Sequence, residues 1–243
     1  MIVSRQNSFI KEIRSLADKK NRDRLGLYIA EGVKLCNEAI SSNQKVYAIV
    51  GVPSAIKQIV SHSFRVEEVS EEVFSSISTE KSPQGVLAVI YKPSQEYKSP
   101  NGSCILLDGV SDPTNVGAII RTAAASGFND IYLTLDSADC FNPKAVRASM
   151  SGIYKVNTHL IDRKSVEEKM PLPLVVGDLD GQNAFSFRIE EDFCLVIGNE
   201  ANGISDTIKK LAKYTISIPM QNDMESLNAS VSAGILMYNL KNK

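Results

Sequence analysis

The chain has 243 residues, 43% of them hydrophobic and 23% charged, with a formal net charge of −1. That is ordinary globular composition for one large domain or two smaller ones, and it gives no global sign of a polyanionic partner. No apolar run approaches the length of a membrane span, and the N-terminus lacks the apolar core of a signal peptide, so a soluble, cytoplasmic protein is expected.

The four cysteines, Cys36, Cys104, Cys140 and Cys194, are far apart and have no histidine nearby. This excludes the usual zinc spacings and argues against a disulfide framework, so no metal is expected. Charge is unevenly spread. Between Met1 and Lys34 lie Arg5, Lys11, Arg14, Lys19, Lys20, Arg22, Arg24 and Lys34, opposed there only by Glu12, Asp18, Asp23 and Glu31. Such a stretch is either a phosphate-contacting patch or a solvated helix face.

In chain order, Ile10, Ile13 and Leu16 fall on one face of a helix that Asn7 or Ser8 could cap. A strand near Leu27–Ala30, a helix from Gly32 to about Ile40 and a strand at Val46–Val50 follow. A helix after Pro53, a strand around Phe64–Val69, a short helix near Glu71–Ser76 and a strand at Gly85–Tyr91 complete a small α/β domain over residues 1–92. The polar stretch 93–102, with two prolines and a glycine, reads as a linker.

Residues 103–243 alternate more strongly. Strands are expected at Cys104–Leu107, Ile131–Leu135, Val156–Ile161, Leu174–Val176, Phe193–Ile197 and Thr215–Ile218. Helices are expected at Asn115–Ser126, around Pro143–Gly152, from Ser205 to about Lys213, and from Ser226 to Leu240. Short apolar runs separated by helices mean a mainly parallel sheet covered on both faces, whose ligands bind beyond the carboxyl ends of the strands.

Three segments lie at such ends. Asp112-Pro113-Thr114-Asn115-Val116-Gly117 leads to Arg121-Thr122-Ala123, an arginine among apolar neighbours. Asn115 and Arg121, a little under two turns apart, could both lean toward a ligand. The alternative is a helix-edge arginine paired with an acid. Gly198-Asn199-Glu200-Ala201-Asn202-Gly203 allows a tight turn and close backbone approach, as would any strand-to-helix turn. Ile218-Pro219-Met220 precedes Glu225-Ser226-Leu227-Asn228, where Ser226 suits a helix N-cap and Asn228 has no evident structural duty.

Together, and in this order, the three segments resemble the motifs of the SpoU (TrmH-like) family of RNA ribose 2′-O-methyltransferases in the SPOUT superfamily. The N-terminal half, with Ser4-Arg5-Gln6-Asn7, Glu31-Gly32-Val33 and Ser82-Pro83-Gln84-Gly85-Val86, is similar to that family's substrate-binding domain. Two departures stand out: Ala201-Asn202 replaces a glycine that often follows the glutamate of the second motif, and Asn222 replaces another in the loop after Met220.

The resemblance implies a trefoil-knotted C-terminal domain, S-adenosylmethionine as cofactor, an RNA substrate and a homodimer with active sites built from both subunits. The cofactor contacts would be Gly198, Asn199, Ile218, Met220, Leu227 and Asn228. Arg121 would meet the 2′-hydroxyl. A guanidinium essentially never deprotonates, so the physically sound role is to hold the adjacent phosphate and stabilise developing alkoxide charge. Asn115, Ser226 and Asn228 would orient Arg121 and the ribose, and Glu200 would hold the arginine or the substrate. Arg5, Lys11, Arg14, Arg22 and Arg24 would grip the RNA backbone. Ribosomal RNA, 23S in particular, is favoured over transfer RNA. A non-catalytic RNA-binding relative would have lost Arg121 or Asn228, and a dinucleotide-binding dehydrogenase would need a Gly-x-Gly-x-x-Gly turn absent from this chain.

Overall fold

The computed structural model describes residues 1–60, 64–222, 224 and 226–241, which divide into two compact units. The first part of the chain forms α1 (Ser8–Ser15), α2 (Lys19–Leu25), β1 (Leu27–Glu31), α3 (Val33–Ser41), β2 (Val46–Gly51), α4 (Pro53–Ile56), β3 (Arg65–Glu68), α5 (Glu71–Ile77) and β4 (Val86–Tyr91). It continues through β5 (Cys104–Asp108), α6 (Pro113–Ser126), β6 (Asp130–Thr134), α7 (Pro143–Ala148), β7 (Asn157–Ile161), α8 (Val166–Lys169), β8 (Leu174–Asn183), β9 (Cys194–Gly198), α9 (Asp206–Lys209), β10 (Ala212–Ser217) and α10 (Ala229–Lys241).

The first unit comprises Met1–Pro93 together with Asp139–Tyr154. Its mixed sheet runs β1-β4-β2-β3, with β2 and β3 parallel and the other pairs antiparallel. The helix start expected at Asn7 is there: its side chain accepts hydrogen bonds from the Phe9 and Ile10 amides. Ile10, Ile13 and Leu16 then pack with Ala48, Val50, Leu87 and Val89 in one apolar core. Helix α2 had no apolar periodicity to announce it. Its organising residue is Arg22, buried to 1% exposure, which donates to both Asp139 and the Leu16 and Ala17 carbonyls. Asp139 brings with it Phe141, whose ring lies 4.8 Å from that of Tyr28, and α7, which packs on β1. The segment 139–154, expected in the C-terminal domain, thus completes the core of the N-terminal one.

The second unit comprises Ser94–Ala138 and Lys155–Lys243. Its six strands are all parallel, in the order β10-β8-β9-β5-β6-β7. The expected α/β class and parallel sheet are therefore present. The chain grows outward from β5 through β6 to β7, then returns to build β8, β9 and β10 on the other side. The direction of winding reverses between β5 and β9, and the crevice at such a reversal is where open parallel sheets bind ligands.

Three details differ from the expected elements. Residues 94–102 are strapped to this unit: the Leu160 amide donates to the Gln95 carbonyl, Tyr132 to that of Lys98, and Tyr97 to that of Lys169. Helix α9 stops at Lys209 because the chain re-enters the sheet at Ala212, which shortens the expected helix and lengthens the following strand. Strand β8 runs on to Asn183, where Gly181 lies so close to β10 that a Cβ would sit 2.4–2.6 Å from Ile216 backbone atoms. Among the described residues no helix is long and apolar enough to cross a membrane.

Candidate active site

The loops that follow β5 and β9, the two strands flanking the reversal, are cross-linked by side chains. Asp108 ends the apolar run of β5 as a buried carboxylate, 1% exposed. It accepts from Arg163 Nε at 2.6 Å and from the Ser205 amide at 2.7 Å, while Arg163 also grips Asp136 at 2.7 Å. Asn199 donates to the Gly109 carbonyl at 2.8 Å, and its Oδ1 accepts from the Ala201 and Asn202 amides. Gly198 is required inside this turn. A Cβ there would meet the Gly203 carbonyl carbon at 2.4 Å, so its nearest constraint is the turn's own backbone.

Glu200 is the hub. Oε2 accepts from the Ser111 amide and hydroxyl, and Oε1 from the Asp112 amide and from Asn115 Nδ2 at 2.9 Å. Partial burial pushes this carboxyl up. The donors from Asn115, its own backbone and Ser111 outweigh that and hold it down at about 2. Asn115 is itself buried, and its Oδ1 accepts from Asn228 Nδ2 at 3.0 Å. Asn228 Oδ1 in turn accepts from the Ser230 amide at 2.9 Å and the Val231 amide at 3.4 Å, which makes it the N-cap of α10. A continuous hydrogen-bonded line, Glu200–Asn115–Asn228, therefore joins the three sequence segments.

Several expectations change here. The capping duty assigned to Ser226 belongs to Asn228; Ser226 is exposed outside the helix. Glu200 holds Asn115 and the 111–112 loop, with its acceptor sites occupied by those donors rather than by Arg121. Asn115 and Arg121 do not share a face, because six residues leave them about 120° apart around the helix axis. Arg121 is exposed on α6, and its side chain makes no hydrogen bond or ion pair to any other described residue, so no pairing with an acid is seen among them. Arg22 cannot meet a phosphate from inside the core. Arg14 is exposed but donates to Ser76, whereas Arg5, Lys11 and Arg24 are exposed. Glu225, the first residue of the Glu-Ser-Leu-Asn segment, lies outside the described residues.

Beyond β10, Ile218, Met220 and Leu227 are half-buried apolar side chains. The backbone amide and carbonyl groups of these three residues have no hydrogen-bond partner among the described residues. Apolar walls lined with uncommitted backbone donors and acceptors suit a purine, whose faces are apolar and whose edge is polar. Among the described residues no cluster of three or more histidine, cysteine, aspartate or glutamate side chains could hold a metal ion.

The SpoU rRNA Methylase family matches residues 102–238, and the MRM3-like substrate binding domain matches residues 7–88. The chain belongs to the SpoU rRNA methylase family. It is 29% identical to the 23S rRNA (guanosine(2553)-2′-O)-methyltransferase of Bacillus subtilis, over 99% of this chain and 98% of that one. A solved structure of a putative TrmH-family RNA methyltransferase from Porphyromonas gingivalis is 31% identical and superposes with a TM-score of 0.87, covering 100% of this chain and 99% of that one. An AdoMet-bound rRNA methyltransferase from Sinorhizobium meliloti is 27% identical, with a TM-score of 0.86 over 98% of this chain and 95% of that one. SpoU methylases use S-adenosylmethionine, and the uncommitted backbone beside Ile218, Met220 and Leu227 fits that cofactor.

The residues that sequence reasoning missed are Asp108, Ser111, Asp136 and Arg163. One signal was available: Asp108 ends a strand otherwise wholly apolar, and a carboxylate there needs a partner. Nothing in the sequence identified Arg163 as that partner, 55 residues away.

Proposed function

We propose that this SpoU methylase transfers a methyl group from S-adenosylmethionine to a ribose 2′-hydroxyl of 23S ribosomal RNA, acting as a cytoplasmic homodimer with a trefoil-knotted catalytic domain. The observation that carries the reading is the Glu200–Asn115–Asn228 line, which holds the loops after β5 and β9 and the start of α10 in one fixed arrangement. The cofactor, when bound, supplies a methyl already activated on a sulfonium, so the reaction needs no metal to activate it. The protein's own task is to align the attacking oxygen and ease loss of its proton.

Arg121 is the cation for that task. Its fixed charge holds the neighbouring phosphate and stabilises oxygen as it gains negative charge. The arginine is turned away from Asn115 on its own helix, which supports its use in the partner protomer's site. Helix α10 supports the same assembly. Its Ala233, Leu236, Met237 and Leu240 stripe is buried, while Val231 and Tyr238, seven residues apart, stay 50% and 47% exposed. Gly198, Asn199, Ile218, Met220, Leu227 and Asn228 are the proposed cofactor residues. Arg5, Lys11 and Arg24 are the proposed phosphate contacts of the N-terminal segment.

The test is transfer of radiolabelled methyl from S-adenosylmethionine into 23S rRNA from cells lacking the gene, followed by nucleoside analysis. A 2′-O-methylnucleoside is expected. Label in a base, or in transfer RNA alone, would refute the assignment.

A further inference from the structure

The first unit carries a row of aromatic rings and cations that its core does not fully account for. The guanidinium of Arg65 lies 4.0 Å from the centroid of Phe9. Phe9 is 6.2 Å from Tyr47, and Tyr47 is 5.7 Å from Tyr91 in an edge-to-face arrangement. Lys45 closes the row with its ammonium 4.6 Å from the Tyr91 ring. Phe9 and Tyr47 are half-buried and touch the core, so part of their role is to cover it. Tyr91 has no such duty. It is the outward residue at the end of an otherwise buried β4, and its side is 38% exposed.

We propose that this row is a docking surface for unpaired nucleotides of the RNA substrate, with bases stacking on Tyr91 and on the open side of Arg65. The inference rests on the reading of the chain as an RNA-modifying enzyme and deepens it by naming where single-stranded substrate is held. Exposed aromatic faces next to guanidinium and ammonium groups are what unpaired bases and their phosphates recognise. Base-paired RNA hides its base faces inside the stack and does not fit. The charges agree with a polyanion. Lys45 makes no ion pair among the described residues, and the one carboxylate bonded within the row is Glu67, already engaged by Arg65 at 2.8 Å.

The sequence contains no tryptophan, so Tyr91→Trp places a single fluorescent reporter at the most exposed ring of the row. The experiment uses the full-length protein, a ten-nucleotide unstructured RNA of adenine and uracil, and the same strand annealed to its complement. The single strand should quench the tryptophan and the duplex should not. Tyr91→Leu, which keeps an apolar side chain, should bind the single strand about ten-fold more weakly with an unchanged melting temperature. Lys45→Gln should lower the salt slope of binding by about one phosphate's worth.

No quenching by either RNA, equal quenching by both, or unchanged affinity in Tyr91→Leu would each overturn the proposal. Methyl transfer to 23S rRNA, measured on the same preparations, separates the two readings. Transfer with unchanged Tyr91→Leu affinity removes the docking surface alone. Strand-specific quenching without any transfer removes the activity alone.

Discussion

Glu200→Gln is the most informative perturbation, because it replaces one carboxylate oxygen with an amide nitrogen and leaves the shape intact. Glu200 accepts four hydrogen bonds, two on each oxygen. In Glu200→Gln one oxygen becomes an NH2 donor; turned toward Asp112 and Asn115 it faces two donors, and turned toward Ser111 it faces the backbone amide while the hydroxyl can rotate to accept. One or two lost bonds to a charged acceptor would cost about 1.5–3 kcal/mol each if fully buried. The residue is largely exposed, and screening reduces the total to about 1–2 kcal/mol. That would lower the melting temperature by only about 2–8 °C for a chain of this size. The same energy shifts the population of the Asn115 orientation about 5- to 30-fold, and the rate should fall with it. Single-turnover methyl transfer at saturating cofactor should therefore slow by roughly ten-fold, out of proportion to the small loss of stability.

The carboxyl also predicts a pH signature. Folding lowers it from 4.5 to about 2, so its stabilising contribution is complete above pH 4.5 and is lost as pH falls toward 2. The stability difference between wild type and Glu200→Gln, followed by urea unfolding, should be flat above pH 4.5 and vanish near pH 2. An unchanged single-turnover rate, or a difference independent of pH across that window, would refute the clamp.

Arg121→Ala should abolish methyl transfer while leaving S-adenosylmethionine affinity within a few-fold by calorimetry, and Arg121→Lys should restore little because a point charge lacks the planar fork. Asn228→Asp keeps the helix-capping oxygen but loses the donor to Asn115. It should retain most of the roughly 1 kcal/mol cap measured by unfolding, yet lose rate, whereas Asn228→Ala should lose both. Gly181→Ala drives a methyl to 2.4–2.6 Å from the Ile216 backbone, so its urea midpoint should drop by the equivalent of about 1–3 kcal/mol or more, at an unchanged slope.

What could be read in advance follows from how far apart the determining residues are. Local signals were enough for α1, because Asn7, Ile10, Ile13 and Leu16 lie within ten residues and each constrains the next. They were enough for the parallel sheet too, since a strand buried on both faces must be apolar throughout, as Ile105–Leu107 and Leu195–Ile197 are. They failed at Arg22, which looked like one more solvent-facing cation in a basic stretch. Only a carboxylate 117 residues away makes its burial affordable. The same separation concealed the division of the chain, for α7 follows β6 in sequence yet packs on β1.

The candidate site shows both regimes at once. Residue types at strand ends identified Asn115, Glu200 and Asn228 as polar groups needing an explanation, but their pairing spans 85 and 113 residues and changes the roles assigned to them. Glu200 becomes a clamp rather than a holder of Arg121, and Asn228 becomes both cap and link. With Glu200 and Asn115 committed to each other, Arg121 is left as an exposed cation with no acid paired to it among the described residues. A guanidinium beside no described carboxylate is available to a phosphate, and in the proposed homodimer it would be available to a site completed by the other protomer. The side chains that fix the geometry are thus satisfied within one chain, and the one proposed to meet the substrate is not.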